Sequence, residues 1–578
     1  MPPNKNYPSF SKSLFSGYIA DDIVFPYPVL NKEDAENLDI IISTLNKFAS
    51  DYIDPSQFDR DEKMPEDVIN GWKELGFFGL LIPEEYGGYG LNTTSYVRIL
   101  EALGTIDGST ALLIGAHQSI GLKGLLLYGT EEQKKKYLPR LATGELIAAY
   151  CLTEPGAGSD ARGIQTRAVR DEKRGVYVLN GSKMWITNGG IADFFTVFAK
   201  EEIDMPDGSK QDKITAFIIT RDMGVKSGKE EKKLGIHSTS TTALFFENTL
   251  VPIENVLGER GKGFKVAMEI LNSGRVGLAA GSVGGSKTAL KTILRYVKER
   301  YQFGRPLIDF EIIKGKISQV TLNIFVAESM VYLTTGFIDN GQIDFSLESA
   351  MCKVYATDTL WDNVNEILQM AGGIGYSQEY PYERYFRDSR INTIFEGTNE
   401  ILRIFIALAG IQERGEYLKK MGKALKDPIK SFGLITDYAV HYMKDRLTTG
   451  RIRGGHESLN NSKAEFEEWA KNLHITVERL LMKYGKEIIE KELIQFRLAN
   501  AAIDLFGMIA CISRVESDIQ RKGVDNCTND ITLCNLFCEQ AWRRIRRNIL
   551  MVDKNDDSTT IKIAEIVNDE GYYPFQLI

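Results

Sequence analysis

The chain has 578 residues, 43% hydrophobic and 26% charged, with 70 Lys and Arg against 78 Asp and Glu for a formal charge of −8. That length exceeds one domain of ~150 residues, the composition excludes wholesale disorder, and the acidic balance argues against a general nucleic-acid binder. Six cysteines in a chain this long do not make a disulfide scaffold.

The N-terminus, MPPNKNYPSFSKSLF, has no apolar h-region, and the first arginine is Arg60. Neither a secretory signal nor an Arg-rich transit peptide is expected. No run approaches the ~18 uninterrupted apolar residues of a membrane span, and the most apolar stretch, from Ala501 to Ile512, carries Asp504. A cytoplasmic protein is expected, or a mature mitochondrial one in a eukaryote.

Residues 33–150 read as helical. Trp72, Leu75, Phe78 and Leu80 form an apolar face around Gly76, and Thr130 opens a helix over Glu131 to Lys136. PEEYGGYGL, Pro83 to Leu91, supplies turn chemistry. The period changes over 147–258. LIAAYCLT, GVYVLNGSKMWIT, DFFTVFAK, KITAFIIT and TALFFENTLV are rich in Val, Ile, Phe, Tyr and Thr, which marks a β domain.

From Gly263 the helical period returns, with Leu290, Ile293, Leu294, Val297 and Tyr301 at helical spacing. Thirteen of the 16 prolines lie at or before Pro306, so the rest of the chain is largely helical. Residues 411–460 hold 10 Lys or Arg and 6 Asp or Glu, a basic segment in an acidic chain. A last helical block over 462–550 opens with Ser462-Lys-Ala-Glu465, which fits a capping box. Cys527, Cys534 and Cys538 lack a nearby histidine and tight pairing, so they read as buried helix cysteines rather than a metal site.

Five segments can carry chemistry. TEPGAGSD, Thr153 to Asp160, is a tight exposed loop that suits an anion or a flavin edge, and equally a plain strand connection. In KMWITNGG, Lys183 to Gly190, Trp185 and Thr187 share one face by period two. Together they suit a planar heterocycle, although core packing is the commoner fate of a tryptophan. ERYQFGRP, Glu299 to Pro306, ends a helix with Arg300 and Arg305, able to cap carbonyls or meet a pyrophosphate. QMAGGIGY, Gln369 to Tyr376, lacks dinucleotide-fingerprint spacing and reads as a helix-ending turn. In IFEGTNEILR, Ile394 to Arg403, the loop ends at Gly397 and Thr398 caps the next helix. Glu396 is then left on a loop among apolar residues, where a raised pKa suits a general base. Gly281 to Thr288 almost fits a phosphate loop, but Ser286 replaces the required glycine and no strand precedes it.

In this order and spacing, TEPGAGSD, KMWITNGG, RYQFGRP, QMAGGIGY and FEGTNEILR resemble the acyl-CoA dehydrogenases. FPYP, IGAHQSIG (Ile114 to Gly121), ILNSGR and the added C-terminal residues resemble the very-long-chain branch. The resemblance implies a mainly α fold with a central β domain. The expected parts are an arm (1–34), an N-terminal helical domain (35–148), a barrel-like middle β domain (149–260), a C-terminal four-helix bundle (261–412) and a helical extension domain (413–578).

It also implies FAD and FAD-dependent α,β-dehydrogenation of long-chain acyl-CoA in fatty-acid β-oxidation. Glu396 would be the base, and the Glu396 N–H with a ribityl hydroxyl would stabilise the enolate. FAD would meet Tyr150, Leu152, Thr153, Ser159, Trp185, Ile186 and Thr187. Arg300, Gln302 and Phe303 would meet its adenosine diphosphate part, in the neighbouring subunit of a homodimer. Gln369, Met370, Ala371, Gly372, Gly373, Thr398 and Glu400 would complete that site. Glu400 stands where many relatives have glutamine, and an ionised glutamate cannot donate a hydrogen bond. Ser159, Asn272, Arg275 and Gly397 would meet the acyl-CoA. Some relatives carry the base just before the arginine; Gly274 there has no side chain and leaves room for a long acyl group.

The implied electron acceptor is an electron-transfer flavoprotein. Alternatives are an oxygen-using acyl-CoA oxidase, or a scaffold or assembly protein acting through the extension. Peripheral membrane contact is expected of this branch. Lys444, Arg446, Arg451 and Arg453 suit anionic lipid as well as a solvated linker. Ala541 to Leu550 reads more readily as a solvated helix face than as a lipid-binding helix.

Overall fold

The structure, a computed structural model, describes residues 9–341, 344–424 and 451–577. Lys444 and Arg446 lie outside the described residues. The chain divides into two units, Pro28–Ile401 and Met1–Tyr27 with Leu402–Ile578.

Two short helices, α1 (Phe10–Phe15) and α2 (Asp21–Val24), belong to the second unit. The first unit then opens with seven helices: α3 (Lys32–Tyr52), α4 (Pro55–Asp61), α5 (Glu66–Glu74), α6 (Thr93–Ile106), α7 (Gly108–Gly115), α8 (Lys123–Tyr128) and α9 (Glu131–Ala142). Asn31, Asp54, Asn92, Asp107 and Thr130 accept the free N–H groups at helix starts. Thr130 and Gln133 close a full capping box.

A π-helical turn, Ala116–Gly121, joins α7 to α8. It holds the IGAHQSIG segment. Ala148 N donates to His117 Nδ1 (2.9 Å), so Nε2 carries the proton and donates to the Phe78 carbonyl (3.1 Å). Burial holds this imidazole neutral, with a pKa of about 4.

The β period yields β1 (Ala148–Cys151), β2 (Arg167–Asp171), β3 (Val176–Thr187), β4 (Phe194–Asp204), β5 (Lys210–Thr220), β6 (Lys226–Glu230), β7 (Thr241–Pro252) and β8 (Val256–Leu257). They form one sheet in the order β6-β7-β3-β2-β4-β5-β8, with β1 parallel to β4. Phe194, Phe198 and Ile218 face a core shared with Leu138 and with Val266 and Ile270 of the next helix.

That helix, α10 (Gly263–Glu299), leads into a small hairpin, β9 (Tyr301–Gln302) with β10 (Arg305–Pro306). Helices α11 (Glu311–Asp339), α12 (Ser346–Ala371) and α13 (Tyr382–Ser389) follow, and α14 (Asn399–Ala424) runs from one unit into the other. Glycine sets the approach of α6 to α10. A Cβ at residue 284 would lie 2.1 Å from the Glu101 carbonyl oxygen, and one at residue 104 would lie 2.4 Å from that of Gly281. Helices α10 and α12 run in step. Ser349 Oγ donates to the Asn272 carbonyl (2.6 Å), and one span further on Asn363 Nδ2 donates to Ser286 Oγ (3.2 Å).

The second unit continues with α15 (Asn460–Tyr484), α16 (Glu492–Lys522), α17 (Thr528–Leu550) and α18 (Asp557–Glu570). The capping box expected at Ser462 does not form. A 3-10 turn over Glu457–Leu459 starts the helix early, with His456 accepting from Ser458 N. Ser462 instead donates to Asn535 Oδ1 (2.7 Å), and Glu465 accepts from Trp469 Nε1. Along Ala541 to Leu550, Ala541 and Ile545 are buried, and Arg544 donates to Asp504 (2.6 Å). Cys527, Cys534 and Cys538 are buried free thiols.

By length and composition, three segments among the described residues reach membrane-span hydropathy: Gly108–Tyr128, α11 and α16. The sequence reading missed them because it asked for uninterrupted apolar residues. Each is mostly buried, from 61% of the apolar window for Gly108–Tyr128 to 89% for α16.

Candidate active site

Glu396 lies on the loop between α13 and α14, as the sequence reading placed it, with Thr398 Oγ1 accepting from Ile401 N (3.3 Å) to cap α14. Its backbone is left-handed, φ 59°, followed by Gly397 at φ 93°. A non-glycine residue at such φ is held there by its surroundings. Two buried cations do the holding. Arg275 Nε donates to the Glu396 carbonyl (3.0 Å). Lys353 Nζ donates to the Gly397 carbonyl (2.9 Å) and to Asn399 Oδ1 (2.6 Å).

Both cations bind backbone oxygens and leave the carboxylate alone. Glu396 Oε2 is buried and accepts no hydrogen bond among the described residues. Burial raises the Glu396 pKa to about 7, against the opposing pull of Arg275 and Lys353. Burial likewise lowers Lys353 to about 7. Gly274 makes the space. A Cβ there would lie 3.0 Å from Glu396 Oε2 and 2.7 Å from Ile120 Cγ2.

The carboxylate opens on a cavity enclosing about 1170 Å³, its mouth included. Leu100, Ala111, Leu112, Ile120, Leu278 and Leu360 give it apolar walls, and Thr187 lines it with Glu396. Four glycines of α10, Gly274, Gly277, Gly281 and Gly285, form one side.

The predicted residues fall into two groups. Thr187, Arg275, Gly397 and Glu396 come together, and Arg275 also donates to Asn272 Oδ1 (3.0 Å). Tyr150 belongs with them: its phenol pKa is pushed well up, first by burial and then by the charge of Glu396, while its hydroxyl donates to the Ala267 carbonyl (3.2 Å). Leu152 and Ile186 are buried, and Ser159 is exposed. Trp185 is not in the core. It is 53% exposed, with φ 59°, at an irregularity in the β3–β7 pairing.

The second group lies at the far end of α10. Arg300 is about 37 Å along the helix from Arg275. Beside it Gln302 and Phe303 sit on the exposed hairpin, Phe303 at 93%. Because α12 runs in step with α10, Gln369 to Gly373 reach that same end. Met370 and Ala371 are buried there, whereas Gln369, Gly372 and Gly373 are exposed. Glu400 is exposed at the start of α14.

These surfaces fit a flavin nucleotide. Trp185 offers a bare ring face, a Cβ at Gly156, Gly158, Gly372 or Gly373 would meet nothing within 4 Å, and the orphaned Glu396 Oε2 waits for a partner.

Sequence reasoning missed Lys353. The signal was a lysine among apolar neighbours in SAMCKVYA, at a position the helix buries completely. It also missed Lys183, whose Nζ donates to Glu154 Oε1 (2.7 Å) and the Leu152 carbonyl (3.1 Å), fixing the start of the TEPGAGSD loop. Lys353→Met is expected to lower kcat by about 10²-fold through a displaced loop. With one cation gone, Glu396 holds its proton more tightly, so the acid limb of the pH–rate profile should move to higher pH. A steady-state profile of the variant measures both.

Comparison with known proteins agrees with this geometry. Residues 35–145 match the family described as acyl-CoA dehydrogenase, N-terminal domain; residues 149–249 match its middle domain and 261–410 its C-terminal domain. Residues 457–572 match the ACAD9/ACADV C-terminal domain. The chain is 41% identical over 554 residues to the very long-chain specific acyl-CoA dehydrogenase, mitochondrial, of Rattus norvegicus, covering 95% of this chain and 84% of that protein. A probable acyl-CoA dehydrogenase of Bacillus subtilis is 34% identical, covering 93% and 91%. The crystal structure of an acyl-CoA dehydrogenase complexed with FAD from Bacillus anthracis superimposes with a TM-score of 0.79 at 34% identity, covering 93% of this chain and 91% of that one. The chain belongs to the acyl-CoA dehydrogenase family, in the very-long-chain branch that carries the fourth domain.

Proposed function

We propose that this protein is an FAD-dependent dehydrogenase that converts long-chain acyl-CoA thioesters to trans-2-enoyl-CoA, with Glu396 taking the α-proton. The observation that carries this reading is the buried, unpartnered Glu396 Oε2 on the wall of a long apolar cavity. When bound, FAD supplies the acceptor for the β-hydrogen as hydride. Tyr150, Leu152, Thr153, Ser159, Trp185, Ile186 and Thr187 would hold its ring side. Arg300, Gln302, Phe303, Gln369 to Gly373, Thr398 and Glu400 would hold its adenosine diphosphate side.

The chain's own part is electrostatic and positional. A thioester α-hydrogen is weakly acidic, so its removal needs a desolvated base at fixed distance. Arg275 and Lys353 fix the loop by its carbonyls and keep the carboxylate ionisable near neutrality. The Glu396 N–H would donate to the thioester carbonyl as it gains enolate charge. Ser159, Asn272, Arg275 and Gly397 would meet the acyl-CoA. Apolar cavity walls exclude water and take the alkyl chain.

A homodimer completes the cofactor site in this reading. Thr398 and Glu400 lie beside Glu396, whereas Arg300 and the hairpin stand about 37 Å along α10 from Arg275, so in this reading the hairpin of each copy would meet its partner's adenosine. The exposed Phe303, Tyr301 and Tyr376 support such a cover. Relatives named as mitochondrial support a mitochondrial site in a eukaryote, and an electron-transfer flavoprotein would be the electron acceptor. Peripheral membrane contact rests on the exposed Arg451 and Arg453.

The purified protein should be yellow, and palmitoyl-CoA should bleach it anaerobically. Dye reduction without peroxide supports the dehydrogenase; abundant peroxide without dye reduction would replace it with the oxidase. A protein that binds no flavin would leave only the scaffold role.

A further inference from the structure

The loop between β6 and β7 carries an unusual residue. Ile236 has φ 49°, a left-handed conformation that a β-branched side chain adopts only under constraint. Its neighbour Gly235 is the residue that needs to be glycine for space: a Cβ there would lie 2.5 Å from the Arg387 backbone carbon. The loop thus spends its glycine on a close approach and keeps a bulky side chain where glycine would be unstrained. Some use for that side chain must offset the strain.

The loop is pinned on all sides. Ile236 N donates to Asp388 Oδ1 (2.5 Å), and Thr239 N donates to the Ile236 carbonyl (3.1 Å). Arg387 NH1 donates to the Leu234 carbonyl (3.4 Å), and His237 Nδ1 meets Asp59 Oδ1 at 2.9 Å. Arg387 also pairs with Asp59 at 2.7 Å. So held, the Ile236 side chain is nearly buried and lines the cavity that Glu396 opens on.

Its position along that cavity follows from α10. Glu396 stands at Gly274. Thr288 Oγ1 donates to the Thr105 carbonyl (2.6 Å), just before the Asp107–Gly108 turn. Ile236 Cγ2 is the atom that a Cβ on Gly108 would meet, at 4.0 Å. From residue 274 to 288 the helix rises about 21 Å. Ile236 is therefore at the end remote from the base.

We infer that Ile236 is the stop of the acyl cavity, a specificity-determining residue that sets how long an alkyl chain the enzyme takes. The inference rests on the proposed acyl-CoA reading of the cavity.

The test uses S-alkyl coenzyme A thioethers, which lack the carbonyl and cannot react, with titration calorimetry on the holoenzyme. In the wild type, affinity should rise about fourfold per methylene and then level off where the chain meets Ile236. Ile236→Gly, which also relieves the backbone strain, should carry the rise to longer chains and bind S-icosyl-CoA at least tenfold more tightly than wild type. Ile236→Phe should level off earlier and lose at least tenfold on S-hexadecyl-CoA. Both variants should stay within twofold of wild type on S-octyl-CoA. Two variants that keep the wild-type length profile would overturn the inference while leaving the acyl site intact. A wild type without length dependence would overturn the acyl reading of the cavity, and the inference with it.

Discussion

Glu396→Gln should lower turnover by about 10³-fold or more, because the isosteric amide fills the same space and cannot take a proton. Flavin content should stay at the wild-type level. The same substitution has a second, opposite signature in stability. In the folded protein the Glu396 carboxyl titrates at about 7, raised from 4.5 by burial. A group whose folded pKa is raised favours folding below its unfolded pKa, and that contribution is lost as pH rises through the folded value. Below pH 4.5 glutamate and glutamine should therefore be equivalent. Above pH 7 the wild type should be less stable by about 3 kcal/mol. Thermal melts of both proteins at equal cofactor loading, at pH 4 and pH 8, measure this. A dead variant that melts higher only at the alkaline pH is the expected result; equal melting at both would remove the buried-base assignment.

Two glycines of α10, three residues apart, should respond in opposite directions to the same added methyl group. Gly284→Ala puts a Cβ 2.1 Å from the Glu101 carbonyl oxygen, a backbone atom that cannot turn aside. The α6–α10 crossing must open, at a cost of about 2–3 kcal/mol. Lys287 Nζ, which meets Glu101 Oε1 at 2.7 Å, would be dislodged as well. Gly281→Ala meets nothing within 4 Å, since its Cβ points into the cavity. There the usual helical preference for alanine applies, a gain of up to ~1 kcal/mol. Melting temperatures of the pair should bracket the wild type, with Gly284→Ala lowest. Equal effects would mean that the crossing is not set by glycine contact.

Much of this architecture was legible in advance. The shift from helical to alternating period marks the sheet because its strands are half-buried, as in β3. Thr398 and Gly397 placed Glu396 on a loop by capping chemistry alone. The misreadings have local causes. Ser462 failed as a cap because a 3-10 turn satisfied by His456 began the helix earlier. Trp185 left the core because a bulge at left-handed φ turns it outward, and periodicity carries no information on bulges. Lys353, Asp388 and Ile236 were invisible because each acts through a partner more than 40 residues away, which spacing along a helix cannot report.

The three long apolar helical segments have a meaning beyond packing. In the native fold most of each apolar window is buried, from 61% for Gly108–Tyr128 to 89% for α16. Once the chain opens, the same segments meet the compositional test for partition into hydrocarbon. Heat damage beside a bilayer then has a sink that refolding in free solution lacks, and loss of the enzyme there becomes a question of how fast it opens rather than how stable it is.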